Sequence, residues 1–397
     1  MTPQPAAPRL FERLQGTVEG WLLSFRKLQA RANQRRFVGH YIAVTGSCGK
    51  TTTTRFTTVL LGCYGTSGLG LGNAGTKLLR AMRRIRMPVD YWVQETSGHE
   101  PGAIDLTASI LRIDTAVVTS IGTDHAANFR FPDIDVPDAI AREKGKLVEA
   151  VAPGGFACLN FDDPRVRAMA TRTNERVIGF GTSPDTEVRA ENVRAAWPGR
   201  LAFDLVVGGR VYPVTTRFVG TMMLTNLLGA LAVVHGYGLP LEPAIARLAT
   251  EEPAHERMNV VVGQDGKTYI LDTRKAPHWS ADMLVDDLPR TAIPHLTFVI
   301  GDISDTRGAG SAQYRKLVRR LSAQVETLVL VGRSAEYGAK LAKTELHNLV
   351  VAPTAFDVAR YLDSRPPGVV YLKSNKTQQL WRVLDQVTPQ DAQSRRE

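Results

Sequence analysis

Between residues 39 and 155, short runs of consecutive apolar residues alternate with stretches whose apolar residues recur every three or four positions. Runs at 40–44, 89–94, 115–120 and 156–160 read as strands, and 51–61, 77–84 and 138–151 carry helix spacing. Strand followed by helix, several times over, predicts a mostly parallel sheet with helices on both faces. After residue 268 the alternation resumes. Strands are expected at 269–271, 296–300, 325–331, 348–351 and 369–372, and helices at 312–322, 335–342, 355–362 and 378–387, giving a second doubly wound domain. Between the two, the runs 201–207 and 212–218 flank Gly208-Gly209 and read as a small antiparallel edge or flap.

Ahead of the first strand, Phe11, Leu14, Val18, Trp21, Phe25 and Leu28 fall at steps of three and four, one face of an amphipathic helix. Arg26, Lys27, Arg31, Arg35 and Arg36 load its C-terminal turns. Packing of the apolar stripe on the next domain is the first reading; docking to a partner or an anionic membrane surface is the second. The Pro/Ala-rich residues 1–8 and the polar tail 388–397 read as disordered. The expected organisation is therefore a basic amphipathic segment at 1–38, a central domain at 39–254, a C-terminal domain at 255–387 and a tail.

Composition is ordinary for a globular protein, with 43% hydrophobic and 22% charged residues. Net charge is +10, but the first 40 residues hold seven Lys/Arg against two Glu. The remaining excess is too dilute to indicate nucleic acid and suits anionic nucleotides and carboxylates. Cys48, Cys63 and Cys158 form no CxxC pair and no metal spacing, which points to free thiols in a reducing compartment. No apolar run reaches the ~18 residues that span a bilayer, and no signal peptide is recognisable at the start. A cytoplasmic protein is expected.

The chemistry concentrates where strands end, since ligands of such sheets gather at the carboxyl edge. The run Val44-Thr45-Gly46-Ser47-Cys48-Gly49-Lys50-Thr51-Thr52 closes an apolar strand and opens a helix. Glycines let backbone N–H groups turn inward, and the helix N-terminus adds positive dipole where phosphate oxygens would sit. Lys50 would reach the β- and γ-phosphates, and the Thr51 hydroxyl would take a position on Mg²⁺. The form is the short G-x-x-G-K-T: Val44 stands where the usual motif has its first glycine. Gly46, Ser47, Cys48, Gly49, Lys50, Thr51 and Thr52 are thus the candidate triphosphate site. Glu95 after the second strand, and Ile121-Gly122-Thr123-Asp124-His125 after the third, suit divalent-ion coordination beside it. From chemistry alone Lys144, in Ile140-Ala141-Arg142-Glu143-Lys144-Gly145, is one more helix lysine.

Taken in order, T-G-x-x-G-K-T, a strand-end glutamate, I-G-x-D-H and I-A-x-E-K-G resemble the Mur ligase family, which includes the ATP-dependent amide ligases of peptidoglycan precursor assembly, folylpolyglutamate synthase and the ligase half of cyanophycin synthetase. The resemblance implies a P-loop ATPase domain followed by a Rossmann-like domain, with ATP and Mg²⁺ as cofactors. It implies Thr51, Glu95, His125 and a carbamylated Lys144 around magnesium. Asn160 in Asn160-Phe161-Asp162-Asp163 fits the family's N-x-D-D stretch. Gly220-Thr221-Met222-Met223-Leu224-Thr225-Asn226 stands where the family has G-x-H-N-x-x-N, leaving Asn226 for adenine. Arg257, in a counterpart of G-R-M-E-V-V whose glycine is Glu256 here, would reach the nucleotide phosphates, with 251–257 as a hinge. Asp272 would hold the ribose or order interdomain closure; Arg274 replaces an aromatic residue of that motif. Gly301-Asp302-Ile303 resembles the G-D-M turn, most like the D-alanyl-D-alanine-adding branch. Lys373-Ser374-Asn375-Lys376 resembles K-G-S-[RK], where the amine would be presented.

The implied activity is a ligase joining a small carboxylate to an amine, an amino acid or peptide, through an acyl phosphate, with Lys50, His125, Lys144 and Arg257 in the catalytic set. Ahead of the phosphate loop stands one helix rather than the domain that binds a UDP-sugar, which argues against a UDP-muramoyl substrate. Three other readings stay open: a polyglutamate-type polymerising synthetase at a membrane surface, a ligase subunit dependent on a second protein, and a non-catalytic nucleotide-binding module.

Overall fold

A computed structural model describes residues 10–386 apart from 72–74, 254–255, 289–292, 294, 305–309 and parts of 333–345. The expectations for residues 1–8, for the tail from 388, and for part of the hinge at 251–257 and of the helix at 335–342 lie outside the described residues. The chain divides into two compact units. One comprises Met1–Ile121, Asn128–Gly179 and Gly229–Leu239; the other comprises Gly122–Ala127, Phe180–Leu228 and Pro240–Glu397.

The first unit begins with α1 (Leu10–Phe37), which runs directly into β1 (Val38–Thr45). There follow α2 (Lys50–Leu61), β2 (Ser67–Gly70), α3 (Gly75–Arg84), β3 (Val89–Glu95), α4 (Ala103–Ile110), β4 (Ile113–Val118), α5 (Val136–Glu149), β5 (Val151–Asn160) and α6 (Pro164–Arg167). The strands pair in parallel in the order β2-β3-β1-β4-β5. β1 is the centre: Tyr41–Thr45 are buried, as a strand covered on both faces must be. Its neighbours β3 and β4 are joined by a connection that passes over it, so β1 marks the topological switch, where an open α/β sheet leaves a crevice at its carboxyl edge. The core is aliphatic, with Ala43, Leu79, Met82, Ile104, Ile113, Val118, Leu147 and Leu159 in one buried cluster.

After β6 (Arg176–Gly181), the second unit contains a meander of β7 (Val188–Arg194), β8 (Arg200–Val207) and β9 (Arg210–Val219), all antiparallel. Gly208 and Gly209 have φ of 57° and 77°, the paired left-handed residues that a two-residue hairpin turn requires. Its larger sheet has the order β10-β11-β15-β12-β13-β14, built from Asn259–Val262, Thr268–Asp272, Val369–Lys373, Leu296–Ile300, Thr327–Val331 and Leu349–Ala352 respectively. Only β10 is antiparallel to its neighbour. After α7 (Leu224–Gly236) and α8 (Leu241–Thr250) in the chain come α9 (His278–Asp287), α10 (Gly310–Ser322) and α11 (Ala355–Asp363), which belong to this unit. Trp197 and Val219 of the meander share one buried cluster with Met258, Ile270, Phe298 and Tyr371, which is why the meander groups with the C-terminal sheet. The sequence boundaries 39–254 and 255–387 group the meander with the nucleotide-binding stretch.

Two expectations change. The helix at 378–387 is two 3₁₀ segments, Lys376–Gln378 and Leu380–Gln386, separated by left-handed Gln379 at φ 51°. The three-residue step of that helix type puts Leu380 and Val383 on one side, and both are buried. Of the apolar stripe of α1, Trp21, Phe25 and Leu28 are exposed rather than packed on the following domain, and the helix is held through Ala30 and polar side chains close by.

Candidate active site

The phosphate-loop candidate forms where β1 stops. Gly46 has φ 145°, and a Cβ there would lie 2.0 Å from Thr119 Oγ1. The loop is laced to the end of β4: Ser47 N donates to Ser120 O at 2.7 Å, Cys48 N to Ser120 Oγ at 3.1 Å, and Thr119 Oγ1 to Cys48 O. Gly49, with φ 79°, precedes α2, whose first turn carries no side-chain cap and no acidic residue. A first turn without a competing carboxylate leaves its N–H groups and its positive end for an anion. Lys50 Nζ folds back onto Gly46 O and, at 3.2 Å, Ser47 O. A phosphate would replace those carbonyls as its partner.

A Gly46→Ala substitution is expected to displace the loop, because both the left-handed backbone and the Thr119 contact oppose a methyl group. Strain of about 1–3 kcal/mol should appear as roughly 10–100-fold weaker nucleotide binding by titration calorimetry, with little change in melting temperature.

Next to the loop, Glu95 ends β3 opposite Val44 of β1. It is buried, and its Oε2 accepts from Thr51 Oγ1 at 2.8 Å. A hydroxyl and a carboxylate in contact at a phosphate loop match what magnesium takes from a protein when phosphates and waters supply the other ligands. Among the described residues, no three His, Cys, Asp or Glu side chains form a group that could hold a metal on their own. A phosphate-borne magnesium does not need one.

Lys144 is fully buried on α5. Its Cγ is 3.3 Å, and that of Glu143 3.4 Å, from where a Cβ of Gly98 would lie, so the loop leaving Glu95 passes directly over it. α5 is fixed by Glu143, whose carboxylate accepts from Gly102 N at 3.0 Å and Ile104 N at 2.9 Å at the start of α4. Lys146 joins Asp105 and, second, Glu143, which raise its pKa above the ordinary lysine value. Of the E-K pair, the glutamate therefore ties two helices together, which helix spacing alone does not reveal. Asn160 and Asp163 brace the end of β4: Asn160 Nδ2 donates to Thr119 O at 2.8 Å, and Asp163 Oδ2 accepts from Ile121 N at 2.7 Å.

His125 stands apart from this set in the division of the chain. It lies in Gly122–Ala127, which is counted with the second unit, and is exposed with φ 55°. In the second unit, Asn226 is buried and its Nδ2 donates to Met222 O at 3.1 Å. Arg257 is half-buried between two left-handed residues, Glu256 at φ 58° and Met258 at φ 59°. The first of these explains why the related motif has glycine at that position. Asp272 is engaged: its Oδ2 accepts from Lys373 Nζ and, at 3.0 Å, from Tyr371 OH, with Lys373 only 2% exposed. Burial first, and the Asp272 carboxylate second, push the Tyr371 hydroxyl well above the ordinary tyrosine range. Trp197 stacks on the same ring at 4.9 Å. The turn after β12 is clasped by Gln378, which accepts from Asp302 N at 2.6 Å and donates to Val331 O at 3.1 Å. Neither the Asp272–Lys373 pair nor Gln378 was singled out from sequence. The register that sets Asp272 beside Lys373 is a property of the folded sheet.

Residues 44–234 match the Mur ligase middle domain. The chain is 32% identical over 255 residues to the UDP-N-acetylmuramoyl-tripeptide–D-alanyl-D-alanine ligase of Mycobacterium leprae, covering 59% of this chain and 47% of that one. It is 27% identical over 339 residues to the UDP-N-acetylmuramoylalanine–D-glutamate ligase of Pelotomaculum thermopropionicum, covering 84% and 69%. The chain thus spans about half the length of the mycobacterial relative. Among solved structures, the MurF ligase of Thermotoga maritima in complex with ADP superposes with a TM-score of 0.75 at 20% identity, over 91% of this chain and 82% of that one. MurF of Acinetobacter baumannii gives 0.74 at 22% identity, over 92% and 79%. These two structures share the fold.

Proposed function

We propose, from the match of residues 44–234 to the Mur ligase middle domain, that this chain is an ATP-dependent ligase that joins a carboxylate to an amine and releases ADP and phosphate. The observation that carries the reading is the Thr51–Glu95 contact at 2.8 Å beside a glycine turn, with Lys144 buried under the adjoining loop. Gly46–Thr52 would cradle the triphosphate, and Lys50 would neutralise charge as it spreads over the transferring oxygens. Thr51, Glu95, His125 and a carbamylated Lys144 would hold Mg²⁺, which supplies further charge neutralisation when bound. A carboxylate is a poor electrophile. Its attack on the γ-phosphorus gives an acyl phosphate and ADP; the amine then adds to the acyl carbon, and the tetrahedral adduct expels phosphate to leave the amide. In this reading residues 39–254 handle the nucleotide, with Asn226 toward adenine, and 255–387 present the amine, with Arg257 toward the phosphates. Asp272 would support the lysine of the amine-presenting turn rather than bind ribose directly.

The relatives named above act on UDP-N-acetylmuramoyl peptides or amino acids. The acid and amine taken by this chain are to be found by screening amino acids and peptides for phosphate release. Release that requires both an acid and an amine is the expected result. ATP hydrolysis indifferent to every amine, or nucleotide binding without turnover, would replace the ligase reading with that of a nucleotide-binding module.

A further inference from the structure

α1 is turned the opposite way from an ordinary surface helix. Along its C-terminal half, polar groups face the body. Asn33 Nδ2 donates to Met82 O at 3.0 Å, Gln34 Nε2 to Arg112 O at 2.6 Å, and Arg31 Nε to Ile110 O at 3.2 Å, while Gln29 Oε1 accepts from Arg83 Nε at 2.7 Å. The large apolar residues that precede them are exposed: Trp21 75%, Leu22 48%, Leu23 40%, Phe25 57% and Leu28 61%. With Ala32, Arg35 and Arg36, also exposed, Trp21, Phe25 and Leu28 continue one side of the helix at steps of three and four. An amphipathic helix that stabilises its own domain buries its stripe; here Trp21, Phe25 and Leu28 are left exposed.

The exposed charged residues on the part of α1 from Gly20 onward and on α3 are basic. Arg26, Arg35 and Arg36 are exposed on α1, and Arg80, Arg84 and Arg86 are exposed on and just after α3, which packs against it. Residues 75–89 contain no Asp or Glu, and Met87 is 75% exposed. We propose that this face seats on an anionic lipid surface. Trp21, Phe25 and Leu28 would enter the boundary between headgroups and acyl chains, and the arginines would meet lipid phosphates. Among the described residues no helix is long and apolar enough to cross a membrane, so α1 would lie on the surface. A second copy of this chain fits the face less well, because pairing two copies through it would bring like charges together.

The test is cosedimentation of the full chain with phosphatidylcholine vesicles, with and without about a third phosphatidylglycerol. The expected result is at least about tenfold tighter binding to the anionic vesicles, weakening as salt is raised. Trp21→Ser/Phe25→Ser/Leu28→Ser should lower that binding about tenfold or more with an unchanged melting temperature, since these side chains leave the domain core untouched. Arg35→Glu/Arg36→Glu should do the same through charge. Equal binding to neutral and anionic vesicles, or wild-type binding by both variants, overturns the proposal. So does a dimer in light scattering that the triple variant dissolves while no vesicles are bound; that outcome assigns the face to a second copy.

Discussion

Lys144→Ala is expected to lower amide formation by about a thousandfold or more, leaving a protein that still folds and still binds nucleotide. Lys144 is fully buried on α5, beneath the loop that passes Gly98. In the proposed carbamate the deprotonated amine would add to CO₂ and release a proton, leaving a carboxylate where the lysine carried its ammonium. That is the charge needed beside magnesium and phosphate. Removing the side chain would remove the proposed anion but leave the space beneath Gly98, so formate or acetate should restore a measurable part of the rate. Stripping CO₂ and bicarbonate from the wild-type assay should depress turnover reversibly. Wild-type rates from Lys144→Ala would remove the carbamate from the proposed function and leave the nucleotide loop standing.

How far this was readable from the chain depends on how local each interaction is. The phosphate loop was legible because glycine at 46 and 49 and the lysine and threonine that follow answer to one short segment and one ligand geometry. The parallel strands were legible because β1, β12 and β15 are apolar on both faces. α4 and α9 were missed. Gly102 and Pro277 precede them without any side-chain cap, so the usual start signal is absent. The stripe of α1 was visible but its direction was not, since periodicity fixes which residues share a side and says nothing about what lies opposite. Only the hydrogen bonds of Gln29, Arg31, Asn33 and Gln34 decide which side meets the domain. Glu256 shows a related limit: its left-handed backbone explains the glycine of the related motif, but nothing in the residue itself announces it.

Asp272→Ala should destabilise the protein by about 3–5 kcal/mol, read as a lower midpoint in denaturant unfolding. The substitution leaves Lys373 Nζ, 2% exposed, and Tyr371 OH without the oxygen to which both donate. The damage comes from the stranded cation more than from lost attraction, because a buried pair recovers in mutual attraction only what it loses in hydration. The two causes can be separated. Asp272→Leu combined with Lys373→Met removes both charges while keeping apolar volume in the strand ends. The double variant should recover most of the stability lost in the single one, a coupling well beyond the few tenths of a kcal/mol expected of independent sites. Activity should follow the opposite course. If Lys373 serves the amine-presenting turn and Asp272 orients it, the double variant folds well and remains unable to form the amide. Recovery of both stability and amide formation in the double variant would reduce the pair to a packing element of β11 and β15.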